Sequence, residues 1–301
     1  MLNFILIVVF LITGLILQKV SFIPAKFATY LNNYLIYIVL PALALKYLPG
    51  VELKFELLLP IGSAWISFAL SWIIFGSLGK YLKWSDGLTG CLIITAGLAN
   101  TSFVGFPIVK ALYGEEAVKI ALLIDQAGSF IIVSSVAVVV ASIYSVGKKR
   151  KRDVTKKILT FPPFIFFILA MAMNISSLET PALILPVLDV VAATLTPIAL
   201  TAVGLQVKIS MASISSKYLW MGLAYKLVLI PLVIFVLYAF VFELKGMMLK
   251  VSVIEAAMAP MITGSIIAIT HDLEPKLASL LVGVGIPLSF LTIAVWYFIL
   301  G

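Results

Sequence analysis

Long apolar segments follow one another along this chain with only short polar breaks between them, and this pattern limits the folds that it can adopt. Ten segments come near the ~20 residues that an α-helix needs to cross the hydrocarbon core of a bilayer. They cover approximately residues 2–18, 28–48, 57–79, 87–109, 117–145, 158–175, 183–206, 217–242, 248–270 and 276–300. Hydrophobic residues make up 63% of the chain and charged residues 11%, against about 45–50% and about 25% in soluble domains. The sequence therefore predicts an all-α polytopic membrane protein with ten transmembrane helices.

The ten segments form two groups of five, separated by a basic stretch. We predict a first five-helix repeat over 1–146, a connector over 147–157 and a second repeat over 158–301. A shift of 160 residues aligns the T-A-G-L-A-N run from Thr95 with the E-A-A-M-A-P run from Glu255, which weakly supports a duplication. Because each group has an odd number of spans, the two copies enter the membrane in opposite orientations. This is the inverted-repeat plan of many secondary transporters.

Basic residues predict the orientation in the membrane. Seven Lys and Arg residues crowd into 148–157, and an excess of positive charge marks cytoplasmic loops. We therefore expect this connector to be cytoplasmic, both termini to lie outside, and the protein to reside in the cell (inner or plasma) membrane. The charge is concentrated in one short loop, so we expect no nucleic-acid partner.

The fourth segment does not resemble an uninterrupted lipid-facing helix. Its consecutive polar residues Asn100, Thr101 and Ser102 are followed by Gly105 and Pro107. Proline removes a backbone donor and its ring clashes with the preceding turn, so we predict a helix break at Gly105 and Pro107. A broken helix is tolerated at membrane depth only where protein or a watery cavity covers it. The alternative is a kinked helix whose small polar residues pack against a neighbour.

The ninth segment carries a matching interruption at Pro260 and Gly264, with hydroxyl groups on Thr263 and Ser265. Paired breaks in the two halves are the strongest sequence signal of a transport site. Where such helices meet, N-terminal ends suit an anion and carbonyl ends suit a cation. We predict that the substrate-binding residues are Asn100, Thr101, Ser102, Pro260, Thr263, Gly264 and Ser265.

Ionisable residues inside spans are functional candidates, because burying each one in a membrane is costly. Glu255 lies on the segment of the second break, and Asp125 is followed by Gln126 and Ser129. We predict that these four residues couple transport to an ion, either by binding Na⁺ or by carrying a proton; the alternative is a buried structural hydrogen bond. Lys226 is a candidate counter-ion that would neutralise a substrate carboxylate, pair with a buried acid or snorkel to the surface, and we favour the last two roles.

The sequence lacks the residues that intramembrane enzymes require. The G-x-G-D motif of aspartyl proteases is absent, and the single His271 and single Cys91 exclude a multi-histidine metal site and a disulfide within the chain. We therefore expect no catalytic residues, no cofactor and no metal other than a coupling Na⁺. The expected partners are the bilayer, a small organic anion and a second copy of the chain in a homodimer.

Four motifs resemble those of the auxin efflux carrier family, within the bile acid/arsenite/riboflavin transporter superfamily. They are L-P-A-L-A at 40–44, N-T-S-F-V-G-F-P at 100–107, T-P-I-A-L-T-A-V-G-L at 196–205 and A-M-A-P at 257–260. The resemblance covers nearly the whole chain. It implies a panel domain of spans 1, 2, 6 and 7 and a core, or transport, domain of spans 3–5 and 8–10, in which spans 4 and 9 are broken and cross.

The resemblance also implies a function, namely secondary active transport of a mono- or dicarboxylate such as malate or malonate by elevator-type alternating access. In the sodium-coupled bile-acid relatives, cation sites use polar residues of spans 4, 5 and 9. The corresponding residues here are Asn100, Thr101, Ser102, Asp125, Gln126, Ser129 and Glu255. Two alternatives are an exporter of auxin-like aromatic carboxylates and a membrane ligand sensor that does not transport. The plant carriers place proline directly at the crossover asparagine, whereas Ala99 precedes Asn100 here and Met261 follows Pro260, which argues against an auxin-like substrate.

Overall fold

A computed structural model describes residues 2–24, 26–145, 161–207 and 215–301. The predicted connector at 147–157 lies outside these residues, so its cytoplasmic location stays a prediction. Within the described ranges the chain is helical and contains no β-strand; one isolated antiparallel bridge joins Ala99 to Pro260.

The α-helices follow the apolar segments of the sequence. They are α1 Leu2–Leu17, α2 Phe27–Tyr34, α3 Leu40–Tyr47, α4 Leu58–Tyr81, α5 Asp86–Gly97, α6 Phe106–Tyr113, α7 Glu115–Leu123, α8 Ile131–Ser134, α9 Val136–Tyr144, α10 Pro162–Ile175, α11 Leu185–Ala193, α12 Leu195–Gln206, α13 Lys217–Ala224, α14 Ile230–Val236, α15 Gly246–Ala256, α16 Ile262–Thr270 and α17 Pro275–Leu300. Short π-helical segments at Leu35–Val39, Thr101–Gly105, Ile124–Phe130, Tyr225–Leu229 and Leu237–Val241 connect several of them.

Six continuous helical stretches of the described chain are long and apolar enough to cross a membrane. They are Phe27–Gly50, Phe55–Tyr81, Glu115–Tyr144, Leu185–Gln206, Lys217–Val241 and Pro275–Leu300. Shorter apolar helices occupy Ile5–Leu17, Asp86–Gly97 and Pro162–Ile175. The prediction of an all-α multi-pass membrane protein is confirmed at this level, and the count of ten spans stays a prediction.

Three of the π-helical segments end directly before a helix that has proline in its first turn, namely Pro41, Pro107 or Pro231. Proline has no N–H, and its ring would clash with the carbonyl of the preceding turn of a regular helix. A locally wider turn is a common way to accommodate such a disruption. At these three positions the helical path therefore continues through the proline.

The described residues group into two compact units. Unit 1 falls within Met1–Phe55, Ser102–Leu122 and Lys156–Val207, and unit 2 falls within Glu56–Thr101, Leu123–Thr155 and Lys208–Gly301. The predicted panel spans lie in the ranges of unit 1, whereas residues 102–122, which the sequence assigns to the core domain, also group with unit 1. The division into two repeats and into panel and core domains stays a prediction.

In unit 1, small residues bring α1 and α12 into backbone contact. A Cβ atom added to Gly14 would lie 2.3 Å from the carbonyl oxygen of Thr201 and 2.8 Å from Cα of Gly204. The side-chain amide of Gln18 donates to the Gly204 carbonyl oxygen at 2.6 Å. Close approach through small residues is the usual means of packing apolar helices in lipid, where the hydrophobic effect does not drive helices together.

A second polar anchor of unit 1 lies at the end of α10. The side-chain amide nitrogen of Asn174 lies 2.7–3.0 Å from three backbone carbonyl oxygens within residues 48–51. These carbonyls follow α3, where a helix leaves its last carbonyl groups without intrahelical partners. Asn174 thus stabilises the end of one helix from another.

Candidate functional site

Two interrupted helices of unit 2 meet at their interruptions. α5 and α15 both end in the protein interior, and the residues that follow them pair through the backbone. The Asn100 N–H donates to the Ala259 carbonyl oxygen at 2.8 Å, and the Met261 N–H donates to the Leu98 carbonyl oxygen at 3.0 Å. Each break therefore satisfies backbone groups that the other one exposes, which matters where water is scarce.

The first break does not lie at the residues that the sequence indicates. The helix is interrupted at residues 98–100, before the predicted breakers Gly105 and Pro107. Gly105 is the last residue of a π-helical segment, and Pro107 occupies the first turn of α6, where its missing N–H would have had no intrahelical partner anyway. In the second segment Pro260 does lie within the interruption, between α15 and α16.

Three serines lie on one face of α4, and the last two of them contact α5. Ser63, Ser67 and Ser71 follow one another at intervals of four residues and are buried. The Ser67 hydroxyl donates to the carbonyl oxygen of Gly97 at 2.9 Å, and the Ser71 hydroxyl lies 2.9 Å from that of Ile93. Gly97 is the last residue of α5, so its carbonyl has no partner within the helix. Sequence reasoning missed these serines, although their spacing was visible.

The side chain of Lys226 is fully buried, and its ammonium group donates to the Ala256 carbonyl oxygen at 2.9 Å. Ala256 is the last residue of α15, and a cation at the C-terminal end of a helix interacts favourably with the helix dipole. In the described part of the chain no carboxylate oxygen forms an ion pair with Lys226 within 4.0 Å. Lys226 therefore does not snorkel to the surface.

Glu255 is the residue before Ala256 on α15 and is 1% exposed. Neither of its carboxylate oxygens accepts a hydrogen bond from a described residue. Its charge interacts with those of Asp125 and Lys226. A buried carboxylate without donors is costly, so Glu255 is the strongest candidate in unit 2 for binding a proton or a cation.

Asp125 has a different environment, within the π-helical segment Ile124–Phe130. One carboxylate oxygen accepts a hydrogen bond from the Thr101 hydroxyl at 2.5 Å, and the other accepts one from the Gln126 amide at 2.6 Å. All three side chains are at most 2% exposed. The bond from Thr101 connects the residue after the first break to this segment, and both bonds agree with the structural alternative for Asp125.

A small cavity of about 10 Å³ lies beside the breaks, which is close to the space that one water molecule needs. Its polar side chains come from both broken helices, from α4 and from the π-helical segments Ile124–Phe130 and Tyr225–Leu229. They are Ser63, Ser67, Thr101, Ser129, Lys226 and Glu255. The structure thus brings together Thr101, Ser129, Glu255 and Lys226 of the predicted site. Within the described residues, no three His, Cys, Asp or Glu side chains cluster as metal ligands.

The other predicted substrate residues do not line this cavity. The Asn100 and Ser265 side chains are buried, that of Ser102 is half-buried, and that of Thr263 is exposed. Gly264 has a packing role, because a Cβ atom there would lie 3.0 Å from Leu98 Cδ1. The absence of a side chain at Gly264 therefore lets α16 approach the first break closely.

The chain is similar to membrane transport proteins along nearly its whole length. Residues 1–297 match the family model described as membrane transport protein. An uncharacterized transporter of Methanocaldococcus jannaschii is 24% identical over 308 aligned residues, covering 98% of this chain and 97% of that protein. An uncharacterized transporter of Methanothermobacter thermautotrophicus is 24% identical over 298 residues, covering 98% of this chain and 96% of that protein. The similarity thus extends from end to end.

Proposed function

Because the chain belongs to the membrane transport protein family, the auxin efflux carrier family that its motifs indicate, we propose that it is a secondary active transporter of a small organic anion. The expected substrates are mono- or dicarboxylates such as malate or malonate. The observation that carries the proposal is the pairing of two interrupted helices beside a small cavity that is lined by a buried glutamate and a buried lysine. Paired helix breaks of this kind build the substrate and ion sites of secondary transporters.

The anion is proposed to bind at the N-terminal end of α16, the helix that follows the second break. The first N–H groups of a helix have no intrahelical acceptors and carry a positive partial charge, so they suit a carboxylate. Of the side chains predicted from the sequence, Ser265 is buried on α16, and Asn100 is buried at the first break, which pairs with the residues before α16. The N–H groups of the first turn of α16 support this role together with them.

Transport is proposed to proceed by alternating access of the elevator type, in which a core domain carries the site from one side of the membrane to the other. Glu255 is proposed to bind the coupling ion, with Thr101 and Ser129 lining the same cavity. The support for this role is the burial of Glu255 and the lack of a hydrogen-bond donor to its carboxylate among the described residues. We also propose that both termini lie on the outer side of the membrane, as the distribution of basic residues predicts.

The test is uptake of radiolabelled malate or malonate by proteoliposomes that contain the purified protein. Glu255→Gln keeps the shape of the side chain and removes its negative charge and its ability to take up a proton. We expect this variant to lose roughly tenfold or more in uptake, equivalent to about 1.4 kcal/mol. Glu116→Gln is the matched control, because the Glu116 side chain is 78% exposed, and it should retain wild-type uptake.

Three outcomes would contradict the proposal. Wild-type uptake by both Glu255→Gln and Asn100→Ala would show that these residues do not form the transport site. Uptake of an indole carboxylate in place of the dicarboxylates would favour an auxin-like exporter. Binding of a carboxylate without any movement across the membrane would favour a ligand sensor.

A further inference from the structure

We propose that the ion pair between Lys46 and Glu115 is a latch, which closes the predicted outer side of the protein and opens once in each transport cycle. The inference rests on the proposed function, because a latch of this kind needs an alternating-access mechanism. Its basis is a network of charged side chains within unit 1 that joins helices which the sequence assigns to different domains.

Four charged side chains from four helices form this network. The two carboxylate oxygens of Glu115, on α7, contact different ammonium groups. Oε2 lies 3.0 Å from Lys46 Nζ on α3, and Oε1 lies 3.0 Å from Lys110 Nζ on α6. Lys46 also pairs with Asp189 on α11 at 2.9 Å. Because α3 and α11 belong to the predicted panel domain and α6 and α7 to the predicted core domain, the pair between Lys46 and Glu115 joins the two.

The two partners of this pair are held with unequal firmness. The Lys46 side chain is 15% exposed, and its ammonium group lies 4.7 Å from the centre of the buried Tyr47 ring, a distance at which cation–π attraction acts. The Glu115 side chain is 50% exposed, so water can solvate its carboxylate when it leaves Lys46. An ion pair with such an exposed member contributes little free energy, and it is therefore weak enough to open repeatedly.

Residues 102–122, which we call the α6–α7 segment, pack on the predicted panel helices. α6 contacts α1 and α12, and the whole segment groups with unit 1, although the sequence assigns it to the core domain. The latch explains this difference. A core segment that is closed against the panel in one state of the cycle groups with the panel in that state.

The α6–α7 segment continues at both ends into the candidate site. Thr101 precedes it and Leu123 follows it, with Asp125 two residues further on. The Thr101 hydroxyl donates to the Asp125 carboxylate at 2.5 Å, which ties the two ends together. When the site travels, the segment follows it, and the pair with α3 breaks. The alternative is that the π-helical segments Thr101–Gly105 and Ile124–Phe130 bend and leave the α6–α7 segment in place.

A purely stabilising ion pair makes a different prediction. Glu115 lies in the first turn of α7, where a negative charge interacts favourably with the helix dipole, so its pairs with lysine would strengthen the fold alone. A static pair tolerates a covalent bond in its place without any effect on transport. A latch does not, because the bond prevents it from opening.

The first experiment fixes the latch covalently. In Lys46→Cys/Glu115→Cys, a short bis-methanethiosulfonate reagent joins the two thiols and a reductant releases them, while the native Cys91 is fully buried. We expect crosslinking to lower malonate uptake by proteoliposomes about tenfold or more, because it blocks the conformational step of the cycle, and reduction to restore it. The control Glu52→Cys/Lys54→Cys replaces an ion pair of 2.7 Å within one loop, and its crosslink should leave uptake unchanged.

The second experiment does not require transport. Val109 on α6 is fully buried, so the rate at which a membrane-impermeant maleimide labels Val109→Cys reports how often the α6–α7 segment opens. Adding Glu115→Gln should raise this rate roughly two- to fivefold, as expected for the loss of a half-exposed ion pair. The control is Glu116→Gln, since Glu116 pairs with Lys119 on its own helix at 2.7 Å, and it should leave the rate unchanged. Cys91 should stay unlabelled in every folded variant.

Uptake that continues after complete crosslinking of Lys46→Cys/Glu115→Cys would overturn the inference and show that the α6–α7 segment stays in place. Equal labelling rates with Glu115→Gln and Glu116→Gln would overturn it as well. Where Glu115→Gln exposes Cys91 and is thus unfolded, Lys46→Met takes its place in the comparison. Absence of malonate uptake by the wild type would count against the proposed function, and the labelling rates would then decide alone whether the ion pair holds the segment closed.

Discussion

Replacing Ser67 by alanine removes the hydroxyl group that donates to the Gly97 carbonyl oxygen at the point where α5 ends. Ser67 is 3% exposed, and Gly97 is buried as well. A buried carbonyl that loses its donor costs about 1–3 kcal/mol, more than the net value of an average hydrogen bond. We therefore expect Ser67→Ala to lower the free energy of unfolding of unit 2 by about 2 kcal/mol.

The matched control is Ser63→Ala, one helical turn earlier on α4. Ser63 is 2% exposed, and its hydroxyl donates to the carbonyl oxygen of Pro60 in its own helix at 2.6 Å. Such local bonds to the preceding turn contribute little to helix stability. The two substitutions delete the same atom from similarly buried positions, so the difference between them isolates the bond to α5. We expect Ser63→Ala to cost about 0.5 kcal/mol or less.

The chain provides its own reporter for this measurement. Cys91 is the single cysteine and lies fully buried on α5, so a dye that fluoresces on reaction with a thiol reports the unfolding of unit 2. For a unit of this size, about 2 kcal/mol corresponds to roughly 4–8 °C in melting temperature. Equal melting temperatures for the two variants would refute the reasoning. A loss of uptake in Ser67→Ala without a loss of stability would identify Ser67 as a ligand in the cavity.

Two predictions concern unit 1, and circular dichroism follows the thermal loss of helix in the whole protein. Gly14→Ala should destabilise it by about 1–3 kcal/mol, because the new Cβ atom would lie 2.3 Å from the Thr201 carbonyl oxygen. The control Gly50→Ala meets nothing within 4 Å and should change little; equal effects would argue against close packing of α1 on α12. Asn174→Ala should cost about 1–3 kcal/mol, since three carbonyl oxygens at 48–51 lose one shared donor. Unchanged melting of Asn174→Ala would show that these carbonyls find other donors.

The membrane class and the helical content could be predicted from the sequence, because both depend on composition and segment length. The family assignment also followed from motifs that lie in consecutive residues, and the match over residues 1–297 confirms it. The position of the first break could not be predicted in the same way. Pro107 is the strongest local breaker, but a π-helical turn accommodates it and the interruption lies at residues 98–100. The break is stabilised by pairing with residues far along the chain, which a local signal does not report.

The set of residues that line the cavity could not be predicted from the sequence either, for the same reason. Glu255 and Lys226 could be recognised singly, since ionisable residues are rare in apolar segments. Their common cavity depends on the packing of helices from distant parts of the sequence. The serines of α4 did not stand out in the sequence, because a buried serine in an apolar helix usually donates to a carbonyl of its own helix. The bond from Ser67 to α5 becomes visible only when both helices are placed.

The groups that stabilise the two breaks also belong to the candidate site, so they restrict how the site can move. Water is scarce at membrane depth, so each exposed backbone group requires a protein partner. Here the partners are the opposite break, the Ser67 hydroxyl and the Lys226 ammonium group, all within unit 2. A motion that separated the ends of α5 and α15 would leave several of these groups without partners at once, at about 1–3 kcal/mol each. We therefore expect the two breaks to stay paired and to travel together during transport, which is the behaviour that an elevator-type mechanism requires of its site.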